Sequence, residues 1–148
     1  MTDLRHDRGF FEILCASHAL FAGRALAPEG ADAAWLYESA PYAVLAHDAG
    51  ADPRFVYANR TAQRCFGYSW EEFIGLPSRL SAEAPERSAR QALLDAVARD
   101  GFAAGYRGVR VTKSGHRFWI EDGVVWRLVG RDGAPAGQAA TFSAWRDA

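Results

Sequence analysis

Apolar residues first recur at helical spacing, with Phe10, Ile13, Leu14, Leu20 and Phe21 on one stripe and Glu12 and Arg24 on other faces. The pattern predicts an amphipathic helix from Asp7 to about Ala27, stopped by Pro28, Glu29 and Gly30. A shorter helix around Asp32 to Ser39 carries Trp35 and Leu36 before Pro41 breaks the pattern. Two short strands are predicted next, Tyr42 to His47 and Arg54 to Ala58, joined as a hairpin by the turn formers of Asp48 to Pro53. Asn59 stands where it would cap a helix running to Tyr68 and closed near Gly67. Ser69-Trp-Glu-Glu72 has the capping-box pattern, so a second short helix should follow and end at Gly75. After a Leu76 to Ser81 loop, Pro85 suits the first turn of a longer helix, with Ala89, Leu93, Leu94 and Val97 as its stripe, ending near Gly101.

Beyond Gly101 the chain reads as strand: Tyr106 to Lys113, His116 to Leu128 and Gln138 to Trp145, separated by Ser114-Gly115 and Arg131-Asp-Gly133 turns. In the first of these, Val109 and Val111 share one face while Tyr106, Gly108 and Arg110 share the other. Aromatic residues on both faces of the later strands predict cover on both sides. The helices between the strand pairs supply one cover, and the N-terminal helix is available for the other. Clustered strands predict an α+β fold with a five-stranded antiparallel sheet rather than alternating strand-helix units. At 148 residues the chain is the size of one domain, read as a helical extension over residues 1–40 packed on a domain over residues 41–148.

Composition changes this picture little. Hydrophobic residues make 49% and charged residues 24%, which fits an ordered domain rather than a disordered segment. The 17 basic and 18 acidic residues give a formal net charge of -1, so no field draws in nucleic acid or an anionic membrane, and neither is expected as a partner. Cys15 and Cys65 form no CxxC pair, which excludes a disulfide framework and fits a cytoplasmic setting. The apolar stretch from Phe10 to Ala27 is interrupted by Glu12, His18 and Arg24, which argues against a spanning helix or a secretion signal.

Several segments carry a family resemblance. Phe55-Val-Tyr-Ala-Asn59, Phe66-Gly-Tyr-Ser-Trp-Glu-Glu-Phe-Ile-Gly75 and Lys113-Ser-Gly-His-Arg-Phe118 resemble, in order, three segments of PAS domains. More narrowly, residues 76–83, Tyr106-Arg-Gly-Val-Arg110, Gly115-His-Arg-Phe118 and Gly137-Gln-Ala-Ala-Thr-Phe142 resemble the MEKHLA family, which is PAS-like and includes small bacterial proteins. The resemblance runs from about Phe10 to Trp145. It implies sensing, ligand binding or protein association, and it brings no set of catalytic residues. Plant members carry DNA-binding modules, but this chain has no basic helix or leucine zipper to which that role would transfer.

Candidate chemistry is sparse. In a flavin photosensor of PAS type a cysteine within Gly-x-Asn-Cys-Arg-Phe attacks the flavin; aligned from Gly75, that position holds Ser78, whose hydroxyl cannot replace the thiol. Cys65 lies on an earlier helix and reads as a small core residue. His6, His18, His47 and His116 form no dense ligand motif, and Cys15 with His18 offers two groups on one helical face without a third. No metal, haem or other cofactor is therefore expected. Glu71-Glu72 and Glu121-Asp122 are adjacent pairs rather than converging carboxylates, and no Gly-x-Ser-x-Gly elbow occurs, so the chain is not expected to be an enzyme.

One polar constellation remains: Asn59, Arg79, Ser81, Arg110 and Gln138 occupy the segments that surround the internal cleft in PAS-like folds. Each also has a structural reading, as helix cap or as internal partner of Glu83 or Asp122. Arg79 is expected to be the most consequential arginine. The expected function is a cytoplasmic sensory or small-molecule-binding module acting through an unidentified partner in trans. The alternative is a homodimerisation or protein-interaction module without ligand, built on the N-terminal helix and the sheet, and a third reading ranked below both is a small enzyme with an unrecognised pocket.

Overall fold

The computed structural model describes residues 3–81 and 87–148. Helix α1 (Arg8–Ala22) starts at Asp7, whose carboxylate accepts the Gly9 N–H, and stops at Gly23, where φ is 73° and the N–H returns to the Ala19 carbonyl. The left-handed cap ends the helix five residues before Pro28, earlier than the apolar pattern implied. Helix α2 (Ala33–Glu38) is capped by Asp32. Strands β1 (Ala43–His47) and β2 (Phe55–Ala58) form the expected antiparallel hairpin. Helix α3 (Arg60–Phe66) runs between the Asn59 cap and a left-handed Gly67, and α4 (Trp70–Phe73) carries both bonds of the Ser69–Glu72 capping box. A 3-10 turn (Ser78–Ser81) occupies the segment read as loop, and α5 (Arg87–Asp100) follows. Pro85, expected in the first turn of that helix, lies outside the described residues.

Strands β3 (Phe102–Val111), β4 (Arg117–Val129), β5 (Pro135–Phe142) and β6 (Ala144–Asp147) complete an antiparallel sheet of order β2-β1-β5-β4-β3, with β6 also paired to β4. The α+β, PAS-like expectation holds, with six strands instead of five. The single strand read over Gln138 to Trp145 divides at Ser143 because β4 itself bends. Asp122 has φ 51°, the one positive value for a non-glycine among the described residues, and the β3–β4 register shifts on either side of the Tyr106–Gly123 pair. β5 pairs with residues 124–129 of β4, and β6 pairs with residues 118–121.

An inserted residue also exchanges the faces of a strand. Before the bulge, Phe118 and Ile120 join Phe66, Phe73 and Phe142 in a core beneath α3 and α4. After it, Val124, Trp126 and Leu128 join Leu14 and Leu36 in a second core on the opposite side of the sheet. α1 is held there by Ser17, whose hydroxyl accepts the Val129 N–H at 2.9 Å, and by His18, whose ring meets Trp126 edge-on at 4.8 Å. The buried stripe therefore centres on Leu14, Ser17 and His18, and Leu20, read as part of it, is 68% exposed. Among the described residues no helix is long and apolar enough to cross a membrane.

Candidate functional site

Between the α3–α5 helices and the sheet lies a cavity of about 60 Å³. Leu45, Phe55, Phe66, Ile120 and Phe142 are among its apolar lining, while His47, Ser78, Tyr106, Arg110, Gln138 and Thr141 bring polar groups to it. Strand alternation puts Tyr106 and Arg110 on the same face of β3, and Gly108 between them keeps that face open. A Cβ at Gly108 would stand 2.3 Å from the Tyr106 hydroxyl, so the phenol lies along the strand only because glycine is there. The hydroxyl then accepts from Arg110 Nε at 3.2 Å.

Arg110 Nη1 donates to Ser81 Oγ at 2.8 Å, and Ser81 donates its own proton to the Ser78 carbonyl at 2.7 Å. Ser81 is thus an acceptor toward the guanidinium, fixed by its 3-10 turn. These partners of Arg110 are neutral, and no described residue of the cavity wall is acidic. On β5, Gln138 shares a face with Ala140 and Phe142. Its Oε1 is buried and has no hydrogen-bond partner among the described residues. Arg110 pairs across from Phe118 and Gln138 from Arg127, so the two stand toward opposite ends of β4.

Of the five residues singled out from the sequence, Arg110 and Gln138 line the cavity and Ser81 mounts Arg110. The other two lie elsewhere. Asn59 is fully buried and all of its side-chain valences are used: Oδ1 accepts from Val44 N and Ala62 N, and Nδ2 donates to the Leu36 and Tyr42 carbonyls. Arg79 is half-exposed and donates to Asp52 at 3.2 Å, away from the cavity wall. Arg79 was singled out on the segment expected to border the cleft, but in the 3-10 turn it is Ser78 and Ser81 that are buried. Glu83, its expected alternative partner, lies outside the described residues. Tyr106 was not singled out as a site residue, although its alternation with Arg110 across a glycine was the signal that would have found it.

The cysteines and histidines take other roles. Burial pushes the thiol of Cys65 up to about 12 and that of Cys15 to about 11, the opposite of what a nucleophile or metal ligand needs. His18 Nδ1 donates to the Arg24 carbonyl, and exposed His116 meets Asp147 at 2.8 Å. Among the described residues no group of three or more His, Cys, Asp or Glu side chains converges as a metal site would require. Glu72 adds to its capping-box bond an ion pair with Lys113, which holds its carboxyl at about 2.

The sequence profile of the MEKHLA domain matches residues 8–147. The chain belongs to the MEKHLA family. The match takes in α1 as well as the sheet. Among solved structures, the MEKHLA chain is similar to the PAS domain of a protein from Colwellia psychrerythraea, at 22% identity and a TM-score of 0.64 over 78% of this chain and 92% of that one. It also resembles the LOV protein of Rhodobacter sphaeroides, at 17% identity and a TM-score of 0.63 over 92% of this chain and 66% of that one. An RNA-binding light-oxygen-voltage receptor matches at 23% identity and a TM-score of 0.57, over 76% of this chain and 31% of the receptor. These likenesses show the PAS fold. A comparison with curated protein sequences found no match.

Flavin photochemistry does not fit the MEKHLA site. Ser78 stands on the cavity wall with a hydroxyl where adduct formation needs a thiol, and the described lining holds no cysteine.

Proposed function

We propose that this protein is a PAS-like sensory module, without enzymatic activity of its own, that binds a small molecule in the cavity between helices and sheet. It passes the bound state to a partner in trans, in the cytoplasm, where two half-buried free thiols are compatible with a reducing setting. The observation that carries this reading is a cationic Arg110, bonded to neutral groups, on the wall of an otherwise largely apolar cavity. A few precisely placed polar groups on an apolar wall are the usual make-up of a small-molecule site, and native proteins seldom leave a buried polar atom such as Gln138 Oε1 without a purpose.

Native mass spectrometry of the purified protein tests this. A bound small molecule on the wild type, lost from Ala140→Leu, which fills the cavity, supports the reading. An empty wild type whose melting temperature no small-molecule screen shifts overturns it. A second reading, homodimerisation, is favoured by Leu20, which stands 68% exposed beside a groove of about 340 Å³ lined by Ile13, Ala16 and Val129. A monomer at all concentrations in analytical ultracentrifugation would exclude it.

A further inference from the structure

We propose that the ligand of this cavity is a short-chain monocarboxylate, its carboxylate seated on the Arg110 guanidinium and its hydrocarbon part against the aromatic and aliphatic wall; this rests on the small-molecule reading above. Three features of the site lead to that class. First, the charge: Arg110 is the only lysine or arginine among the described lining residues, and that lining holds no acid. A partly buried guanidinium on an apolar wall is stabilised more by an anion than by the neutral hydroxyls of Ser81 and Tyr106.

Second, the geometry: Nε and Nη1 are held by Tyr106 and Ser81, so the guanidinium plane is set before a ligand arrives. A planar carboxylate matches a pre-set planar fork. A phosphate monoester brings close to two negative charges, and one cation would leave much of that charge uncompensated. Third, the size: at roughly 10–15 Å³ per water-sized group, a cavity of about 60 Å³ holds about four to six non-hydrogen atoms. With Phe66, Ile120 and Phe142 on the wall, the atoms beyond the carboxylate are best apolar.

The probes are butanoate and its neutral isostere butanamide, titrated into the full chain and followed by chemical-shift changes of the cavity residues. Butanoate is expected to bind at least about tenfold more tightly than butanamide, the advantage of one charge-assisted bond over a neutral one. Arg110→Gln should abolish that preference while leaving butanamide binding in place. Arg110→Lys, which keeps the charge without the fork, should retain part of the preference and stands in if the glutamine variant does not fold. Arg79→Ala, outside the cavity, should leave the preference intact. Equal binding of the two probes to the wild type overturns the carboxylate assignment while the cavity reading stands. If neither probe binds, the identity of any co-purifying molecule decides: an acid supports the assignment and a non-acid overturns it. If the protein is also empty by native mass spectrometry, the small-molecule reading falls and the inference falls with it.

Discussion

Replacing Asn59 by alanine should be among the most damaging single changes in this fold, although the side chain touches no part of the cavity. Its amide joins four backbone groups from three regions: the Leu36 carbonyl in α2, the Tyr42 carbonyl and Val44 N–H at the start of β1, and the Ala62 N–H in the first turn of α3. All four distances lie between 3.0 and 3.1 Å, and Leu36, Val44 and Ala62 are essentially inaccessible to water. Asn59→Ala strands these groups at once. Loss of the cap costs about 1 kcal/mol, and each buried backbone group left without a partner costs about 1–3 kcal/mol. Partial relaxation and entry of water into the space of the lost amide reduce the sum, so the expected loss is about 3–5 kcal/mol, a large part of a typical ~5–15 kcal/mol. In urea, with a slope of about 1–3 kcal/mol per molar, the unfolding midpoint should fall by at least about 1 M. Asn59→Asp keeps both acceptor bonds but turns a carboxylate toward two carbonyls, and should do no better than alanine. A midpoint shift corresponding to less than about 1 kcal/mol, at unchanged slope, would refute the idea that this amide joins the helical extension to the sheet.

Arg79→Ala should lower stability by no more than about 1 kcal/mol, because its ion pair with Asp52 is half-exposed; a larger loss in thermal unfolding would mean that Arg79 has a buried task. Burial of His18 against Trp126 disfavours the imidazolium and holds its pKa below the ordinary 6.5, so the unfolded chain takes up the proton first. Stability from this group is therefore full above pH 6.5 and lost as the pH falls through the lower folded value; His18→Phe should flatten the pH dependence of the melting temperature below pH 6.5, and an unchanged slope would refute the assignment. Deleting residues 1–27 removes Leu14 from the core and uncovers Trp126, so the product should aggregate or lose most of its stability; an equally stable, monodisperse truncation in light scattering and thermal melts would overturn this.

Much of the architecture was legible because it is written in local chemistry. The Asn59 cap, the Ser69–Glu72 box, the left-handed Gly67 and the turns between strands each satisfy backbone groups within a few residues, so their spacing along the chain is their geometry. The end of α1 was less legible, since apolar periodicity continues past Gly23 while a single left-handed residue is enough to stop the helix. Face assignment on β3 followed from alternation and correctly joined Tyr106 to Arg110. On β4 alternation alone does not give the faces, because the bulge at Asp122 exchanges them and is signalled by no glycine at that position.

The sequence by itself determined the order of elements, the antiparallel class of the sheet and the family. Only the tertiary structure decided which polar residues share a site. Arg79 meets Asp52 across 27 positions, and Arg110 meets Ser81 across 29, partners that no local spacing encodes. Asn59 passed from candidate ligand contact to structural tie once its amide met α2 and β1, and Arg110 gained its task from the turn that aims Ser81 at it. The physical reason is one of range. Periodicity, caps and turns act within about one helical turn or one strand pair, whereas a cavity exists only where side chains from distant segments leave space between them.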